Sequence, residues 1–295
     1  MPQPREFHVN IGDVELWVNE WQGDSDPVLL LHATGFHSRC WDEVVKRLPG
    51  QHIFAVDLRF HGKSGAVGEV DWSILSQDIC QLVEQLDLKN IVGVGHSVGG
   101  HLITRAAHAV PSRFKQLLLL DPVILSPEHY QLAYENAKHL KPEDHPVSRR
   151  KNRWQDAQEM YQHFCDREPF SRWQPEVLED YCNYALHPKD DEGYHQLACD
   201  PVNESGFYIN HHGNEVVHTL LPDIHTPTTL LRVKQGDALG DFSTSPTWTE
   251  LAKQLPLCRE YYLPEMSHFI PMENPQMVAA FIGEAQQDNW QSAAR

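Results

Sequence analysis

Apolar and polar positions follow two different periods in the N-terminal part of the chain. Residues 14–21 alternate between apolar and polar side chains, which is typical of a strand with one face towards solvent. Four later runs are almost continuously apolar, as in strands buried on both faces of a parallel sheet. These runs are residues 28–31, 53–56, 91–94 and 117–120.

Residues 72–86 lie between two of these runs and carry apolar side chains at helical spacing. A succession of strand, helix and strand predicts a doubly wound α/β sheet.

The pattern changes after Asp121 and Pro122. Residues 125–221 contain no convincing buried strand and are rich in Trp, Tyr, His and charged side chains. Their apolar content is too high for disorder. Helical patterns are predicted at residues 129–140, 154–164 and 175–186. We interpret this part of the chain as a helical insertion.

Core-like patterns return after the insertion. They predict strands at residues 228–233 and 259–263, and helices at residues 245–255 and 274–285. The expected organisation is therefore a core domain made of residues 1–124 and 222–295, with residues 125–221 as a separate helical domain.

A serine motif follows the apolar run 91–94. The residues are Gly95-His96-Ser97-Val98-Gly99-Gly100, and a helical pattern extends over residues 98–109. A strand, a sharp turn and a helix are what the G-x-S-x-G nucleophile elbow requires. The small Gly95 and Gly99 leave room for the strained serine backbone. Ser97 is therefore the candidate nucleophile.

Composition narrows the class of partner. The formal charge of −17 argues against a nucleic-acid partner, because phosphate binding needs clustered cations. No apolar run approaches the roughly 20 residues that span a bilayer, and the polar N-terminus lacks the pattern of a secretory signal. We expect a cytoplasmic protein that does not bind membranes.

One basic run, at residues 149–153, is interpreted as a solvated helix face or as an anion-attracting rim on a pocket.

The metal-binding residue types form no known motif. Six cysteines contain no C-x-x-C pair, and nineteen histidines contain no H-E-x-x-H. We therefore expect reduced thiols, no metal and no cofactor.

The ordered motifs carry a family resemblance. Beside the serine motif, the sequence has LLLHATGF at residues 29–36, DLRFHGKS at residues 57–64, MSHF at residues 266–269 and ENP at residues 273–275. In this order they resemble the α/β-hydrolase superfamily, specifically its capped esterase and lipase-like branch. The resemblance implies a mostly parallel eight-stranded sheet flanked by helices, with residues 125–221 as a helical cap. Two departures are Ala33 and Phe60, which stand where the family usually has glycine.

The same resemblance implies the catalytic groups. His268 would be the general base for Ser97, and the backbone amides of Thr34 and Val98 would form the oxyanion hole. His32 and His96 are expected to be structural.

The third member of the triad stays open at this point. In similar proteins the acid lies just beyond the strand predicted at residues 228–233, which favours Asp241 and then Asp237. Asp121 is the remaining alternative, because some relatives place the acid after the preceding strand.

The implied activity is hydrolysis of small to medium carboxylic esters through an acyl-enzyme. Phe36, Trp154 and Tyr161 are the candidate substrate-binding residues, because large aromatic side chains suit a closed pocket. Hydrolysis of carbon–carbon bonds, lactone opening, perhydrolysis and ligand binding without turnover are the alternatives. The expected partner is a small-molecule ester, and a homodimer is left open.

Overall fold

The computed structural model describes residues 3–236 and 243–287. Its central feature is an eight-stranded sheet with the order β1-β2-β4-β3-β5-β6-β9-β10, while β7 and β8 pair with each other outside it. The strands are β1 (Arg5–Asn10), β2 (Glu15–Trp21), β3 (Val28–Leu31), β4 (Ile53–Val56), β5 (Ile91–His96), β6 (Phe114–Leu120), β7 (Arg153–Trp154), β8 (His195–Gln196), β9 (Thr228–Val233) and β10 (Cys258–Leu263).

Most neighbouring strands of the large sheet are parallel. The pairs β1–β2 and β2–β4 are antiparallel, and every other pair is parallel. The predicted mostly parallel, eight-stranded α/β-hydrolase sheet is confirmed. Strand β1 was not predicted, because its side chains are mostly exposed and its pairing with β2 supplies the order that its own sequence lacks.

Helices connect the strands and cover both faces of the sheet. They are α1 (Asp42–Val45), α2 (Trp72–Gln85), α3 (Val98–Ala109), α4 (Pro127–Ala137), α5 (Ala157–Phe164), α6 (Pro175–Tyr184), α7 (Pro201–Ile209), α8 (Val217–Leu220), α9 (Leu251–Gln254), α10 (Ile270–Glu273) and α11 (Pro275–Gln286). The helix predicted at residues 245–255 is shorter than expected. Its first part instead forms a turn, where Ser245 bridges to Gln235.

Two hydrophobic cores lie on opposite faces of the sheet. Alternate residues of β3 divide between them: Leu29 and Leu31 pack into one core, while Val28 and Leu30 pack into the other. All four side chains are fully buried. This burial on both faces explains why the parallel strands have continuous apolar sequences.

Residues 125–221, which we call the inserted segment, contain helices α4 to α8 and the small β7–β8 sheet. That small sheet was not predicted. The segment contributes Trp173 and Tyr181 to a third hydrophobic cluster, which also contains Phe36 and Phe269 from loops of the large-sheet region. The Phe36 ring lies 5.4 Å from both Trp173 and Tyr181 and 5.9 Å from Phe269. Through these contacts the inserted segment packs against the loops that follow β3 and β10.

None of the described helices is long and apolar enough to cross a membrane.

Asp180 is a half-buried carboxyl where α6 of the inserted segment packs against α1. Burial, and then the neighbouring Asp42, raise the pKa of Asp180 to about 7. Glu43 adds to this rise, while Lys46 and Arg39 oppose it. The Lys46 amine is 3.8 Å from Asp180 Oδ2, too far for a hydrogen bond. Asp180 is therefore a destabilising charge once it ionises.

We expect Asp180→Asn to stabilise the protein at high pH. The native state holds a proton on Asp180 up to about pH 7, whereas the unfolded chain releases it near the ordinary value of 3.8. Stability is therefore lost as pH rises through this window. Urea unfolding should find the variant more stable than the wild type by about 1–2 kcal/mol at pH 8 and nearly equal at pH 4.5. Glu179→Gln, at an exposed neighbouring site, is the control. Equal stabilities of variant and wild type at pH 8 would contradict the prediction.

Candidate active site

Ser97 lies in the turn between β5 and α3, in a conformation that few non-glycine residues adopt. Its backbone has φ 57° and ψ −120°. Hydrogen bonds hold the turn on both sides: the Ser97 amide donates to Leu120 O at 3.1 Å, and Ser97 O accepts from Val123 and Gly100 amides, each at 3.0 Å. This bonding to β6 and to the loop after it maintains the strain.

Glycines make the sharp turn sterically feasible. A β-carbon at Gly95 would lie 2.3 Å from Gly99 O, and one at Gly99 would lie 2.5 Å from Leu31 O. Side chains are therefore excluded at both positions, which is the physical reason for the G-x-S-x-G spacing.

His268 is hydrogen-bonded to Ser97. Its Nε2 is 2.9 Å from Ser97 Oγ, and its Nδ1 is 2.6 Å from Asp121 Oδ2. An ionised carboxylate only accepts hydrogen bonds, so Nδ1 carries the proton and Nε2 accepts from the serine hydroxyl. This is the arrangement in which a histidine can take the serine proton.

Asp121 follows β6 directly and is fully buried. Its backbone has φ 45°, an uncommon conformation for aspartate. The second carboxylate oxygen, Oδ1, accepts from Ser245 Oγ at 2.5 Å and from the Val233 amide at 3.2 Å. These bonds leave Oδ2 facing His268, so the carboxylate is held in one orientation.

The two aspartates that the sequence favoured, Asp237 and Asp241, lie outside the described residues. The described structure brings the third alternative, Asp121, to His268. The sequence signal for it was the Asp-Pro pair at the end of a buried strand next to β5.

The Thr34 amide lies in the loop after β3, and the Val98 amide directly follows Ser97. Val98 is the first residue of α3, where an amide has no partner within the helix. In the part of the chain that the structure describes, no backbone hydrogen bond uses the Thr34 amide. Both amides can therefore donate to a ligand.

The neutral rings of His61 and His32 accept hydrogen bonds that hold the Thr34 loop in place. His61 Nε2 accepts from the Gly35 amide at 3.0 Å, and His32 Nε2 accepts from the Leu58 amide at 3.0 Å. Burial lowers the pKa of each histidine to about 3, so both stay uncharged. His32 is thus structural as expected, whereas the role of His61 was not foreseen.

A cavity of about 710 Å³ opens onto Ser97 and His268. Loops after the strands form one wall, and α4, α5 and α7 of the inserted segment contribute the others. Much of the lining is apolar, including Phe36, Trp72 and Phe207. A cavity of this size with mainly apolar walls suits a small molecule.

The three predicted substrate-binding residues differ in position. Phe36 lines the cavity. Trp154 is fully buried in the third cluster, and Tyr161 is half-buried and packs against that cluster. Neither is among the described residues that line the cavity, because both hold the helices of the inserted segment together.

The lining also contains a group of polar residues, of which only Arg150, in the basic run, was singled out from the sequence. Arg150 donates from Nη1 to Glu204 Oε2 at 2.6 Å and from Nη2 to the Tyr181 hydroxyl at 3.1 Å. All three residues line the cavity. The basic run at residues 149–153 was the available signal, but only the fold shows that Arg150 turns inwards while Arg149 is exposed.

The sequence matches the Alpha/beta hydrolase family over residues 28–281. The chain belongs to the alpha/beta hydrolase family. This confirms the resemblance drawn from the ordered motifs.

Relatives of this alpha/beta hydrolase include lipases and a thioesterase. The chain is 26% identical over 271 residues to the sn-1-specific diacylglycerol lipase ABHD11 of Danio rerio, covering 88% of this chain and 77% of that protein. It is 26% identical over 279 residues to Lipase LipV of Mycobacterium tuberculosis, covering 91% and 97%. A shorter match, 37% identical over 122 residues, covers 35% of this chain and 28% of the Type I acyl-CoA thioesterase mpaH of Penicillium roqueforti. These similarities support hydrolase activity.

Solved structures agree on the fold of the hydrolase. One is an E-2-(acetamidomethylene)succinate hydrolase, with a TM-score of 0.76 at 18% identity over 97% of this chain and 99% of that one. Another is a thermophilic esterase from Thermogutta terrifontis, with a TM-score of 0.68 at 23% identity over 96% and 98%.

His96, inside the serine motif, contacts the loop that carries His268. Its Nε2 donates to the His268 carbonyl oxygen at 2.8 Å. Burial holds the pKa of His96 well below its usual range, so the ring is neutral. One side chain thus ties the Ser97 turn to the His268 backbone, which makes His96 a positioning residue.

Removing that hydrogen bond should impair turnover more than binding. We expect His96→Phe to lower kcat on a short-chain ester about 10- to 100-fold with little change in KM, because small displacements of reacting groups are costly. His96→Gln keeps an N–H donor and should retain more activity. Steady-state kinetics on both variants measures the difference, with circular dichroism to establish folding. Equal kcat for the two variants would show that the hydrogen bond has no positioning role.

Proposed function

We propose that this protein is a serine hydrolase that cleaves carboxylic esters through an acyl-enzyme. The observation that carries the proposal is the hydrogen-bonded series Ser97–His268–Asp121, at 2.9 and 2.6 Å, whose Ser97 and His268 line the cavity. The lipase and thioesterase relatives support the same class of reaction.

The proposed reaction begins with attack of Ser97 Oγ on the ester carbonyl carbon. The hydroxyl proton passes to His268 Nε2, and Asp121 stabilises the imidazolium that forms. Collapse of the tetrahedral intermediate breaks the bond to the alcohol oxygen, which takes the proton from His268. Water, deprotonated by the same histidine, then hydrolyses the acyl-enzyme and regenerates Ser97.

The oxyanion of each tetrahedral intermediate would bind to the Thr34 and Val98 amides. Two features support this assignment. Among the described residues neither amide has a backbone acceptor, and α3 begins at Val98, so its positive dipole end would face the developing charge. The braced Thr34 loop would keep its donor in place before substrate binds.

The inserted segment would act as a cap. Its helices supply much of the cavity wall, and Arg172 within it bonds to Glu273, which in turn accepts from Ser267 beside His268. A wall anchored in this way would exclude water and limit substrate size.

We expect Ser97→Ala to abolish ester hydrolysis. Removal of the nucleophile should lower kcat on p-nitrophenyl butyrate by at least about 10⁴-fold. A fluorophosphonate probe should add its mass to the peptide containing Ser97 in the wild type only. The esterase assignment is wrong if wild-type hydrolysis does not exceed that of Ser97→Ala.

The acid can be identified by three matched substitutions. Asp121→Asn should lower kcat about 10³- to 10⁴-fold, because the amide favours the wrong histidine tautomer. Asp237→Asn and Asp241→Asn, measured on the same ester, should have far smaller effects. A larger loss at either of these two positions would move the acid from Asp121 to that residue.

A further inference from the structure

A buried ion pair interrupts the apolar lining of the cavity. Arg150 and Glu204 are 2.6 Å apart, and their side chains are only 22% and 6% exposed. The Tyr181 hydroxyl, which is also buried, accepts a second hydrogen bond from Arg150. Such an ion pair is not explained by stability alone, because a protein with well-packed apolar residues of similar size at these positions is often as stable or more stable.

The pair lies beside the candidate oxyanion loop. A β-carbon at Gly35 would be 2.6 Å from Glu204 Oε1, so the carboxylate packs directly on the residue after Thr34. Arg150, Glu204, Thr34 and Ser97 all line the same cavity. A group that reaches the guanidinium can therefore belong to a molecule whose carbonyl is at Ser97.

Arg150 retains unused hydrogen-bonding capacity. A guanidinium has five N–H donors, and its hydrogen bonds to the described part of the chain, with Glu204 and Tyr181, use two of them. Glu204 and Tyr181 fix the plane of the guanidinium, so little side-chain entropy remains to be lost when a ligand binds. Burial raises the pKa of Glu204, which makes this carboxyl able to accept a proton when a second carboxylate arrives.

We propose that Arg150 binds a carboxylate of the substrate, so that the preferred substrates are esters carrying a second, free carboxylate. This inference rests on the proposed ester hydrolysis. The guanidinium would pair with the carboxylate through charge-assisted hydrogen bonds, and the apolar walls would enclose the hydrocarbon between the carboxylate and the ester.

The first experiment compares matched esters on the wild type. Monomethyl adipate and methyl hexanoate have acyl chains of equal length and differ by a carboxylate in place of a methyl group. We expect kcat/KM to be at least about 10-fold higher for the charged ester. Sodium 4-acetoxybutyrate places the carboxylate on the alcohol side, and a preference for it over butyl acetate would assign Arg150 to that part of the substrate. Absence of preference for either charged ester would overturn the proposal.

The second experiment removes the guanidinium. Arg150→Gln should lower kcat/KM on the preferred charged ester at least about 30-fold and on its neutral partner much less. Arg149→Gln removes the same charge from the exposed neighbouring residue and should leave both values close to wild type. Equal losses on charged and neutral esters, or equal effects at positions 149 and 150, would show that Arg150 does not select a carboxylate.

A double variant separates recognition from folding. Arg150→Gln alone leaves the Glu204 charge buried without its partner, which is destabilising. Arg150→Gln with Glu204→Gln removes both charges and should recover stability and neutral-ester hydrolysis, but not the preference for the charged ester. Recovery of that preference would mean that the ion pair is only structural.

A binding measurement separates this inference from the proposed reaction. Calorimetry with Ser97→Ala should detect monomethyl adipate or sodium 4-acetoxybutyrate binding, and the further Arg150→Gln substitution should weaken it at least about 10-fold. If binding depends on Arg150 but the wild type hydrolyses no ester, the proposed reaction is refuted and the carboxylate site is retained. Hydrolysis with no Arg150-dependent binding would refute the site and retain the reaction.

Discussion

The hydrogen bond between Asp121 Oδ2 and His268 Nδ1, 2.6 Å long, is the interaction on which the candidate site depends. It joins residues 147 positions apart in the sequence. It can form because parallel strands end at the same edge of the sheet, where Ser97, Asp121 and His268 lie in the connections that follow β5, β6 and β10. The bond fixes the proton on Nδ1, and this leaves Nε2 to face Ser97.

Backbone strain is concentrated in this region. Ser97, Asp121 and Phe60 all have positive φ, at 57°, 45° and 71°. Positive φ explains the glycine that is usual in the family at the position of Phe60. Here the Phe60 ring instead packs edge-on against Phe207 of the inserted segment, with ring centres 6.3 Å apart. Strain of this kind persists because surrounding contacts over-determine the backbone.

The inserted segment contributes residues of α4, α5, α6 and α7 to the lining of the cavity beside Ser97. Its aromatic side chains pack on Phe36 and Phe269, which lie in the loops that contain Thr34 and His268. The Arg150–Glu204 pair lies within this segment and yet contacts Gly35 of the sheet region through the carboxylate. Substrate selection and charge stabilisation would therefore share one wall of the cavity, which links the choice of substrate to the geometry of the oxyanion loop.

The residue pattern alone predicts the buried strands and the elbow at Ser97, because burial on two faces, helical spacing and glycine positions are visible in neighbouring residues. The eight-stranded sheet and the loop at His268 were predicted from the family resemblance of the ordered motifs. Strand β1 was not predicted, because it is held in place by pairing with β2 and its own residues show no strand pattern. Three outcomes depend on the tertiary structure. Asp121 reaches His268, Phe36 lines the cavity while Trp154 and Tyr161 do not, and Arg150 points inwards. Those outcomes depend on which distant segments meet in space, and local periodicity carries no information about such contacts.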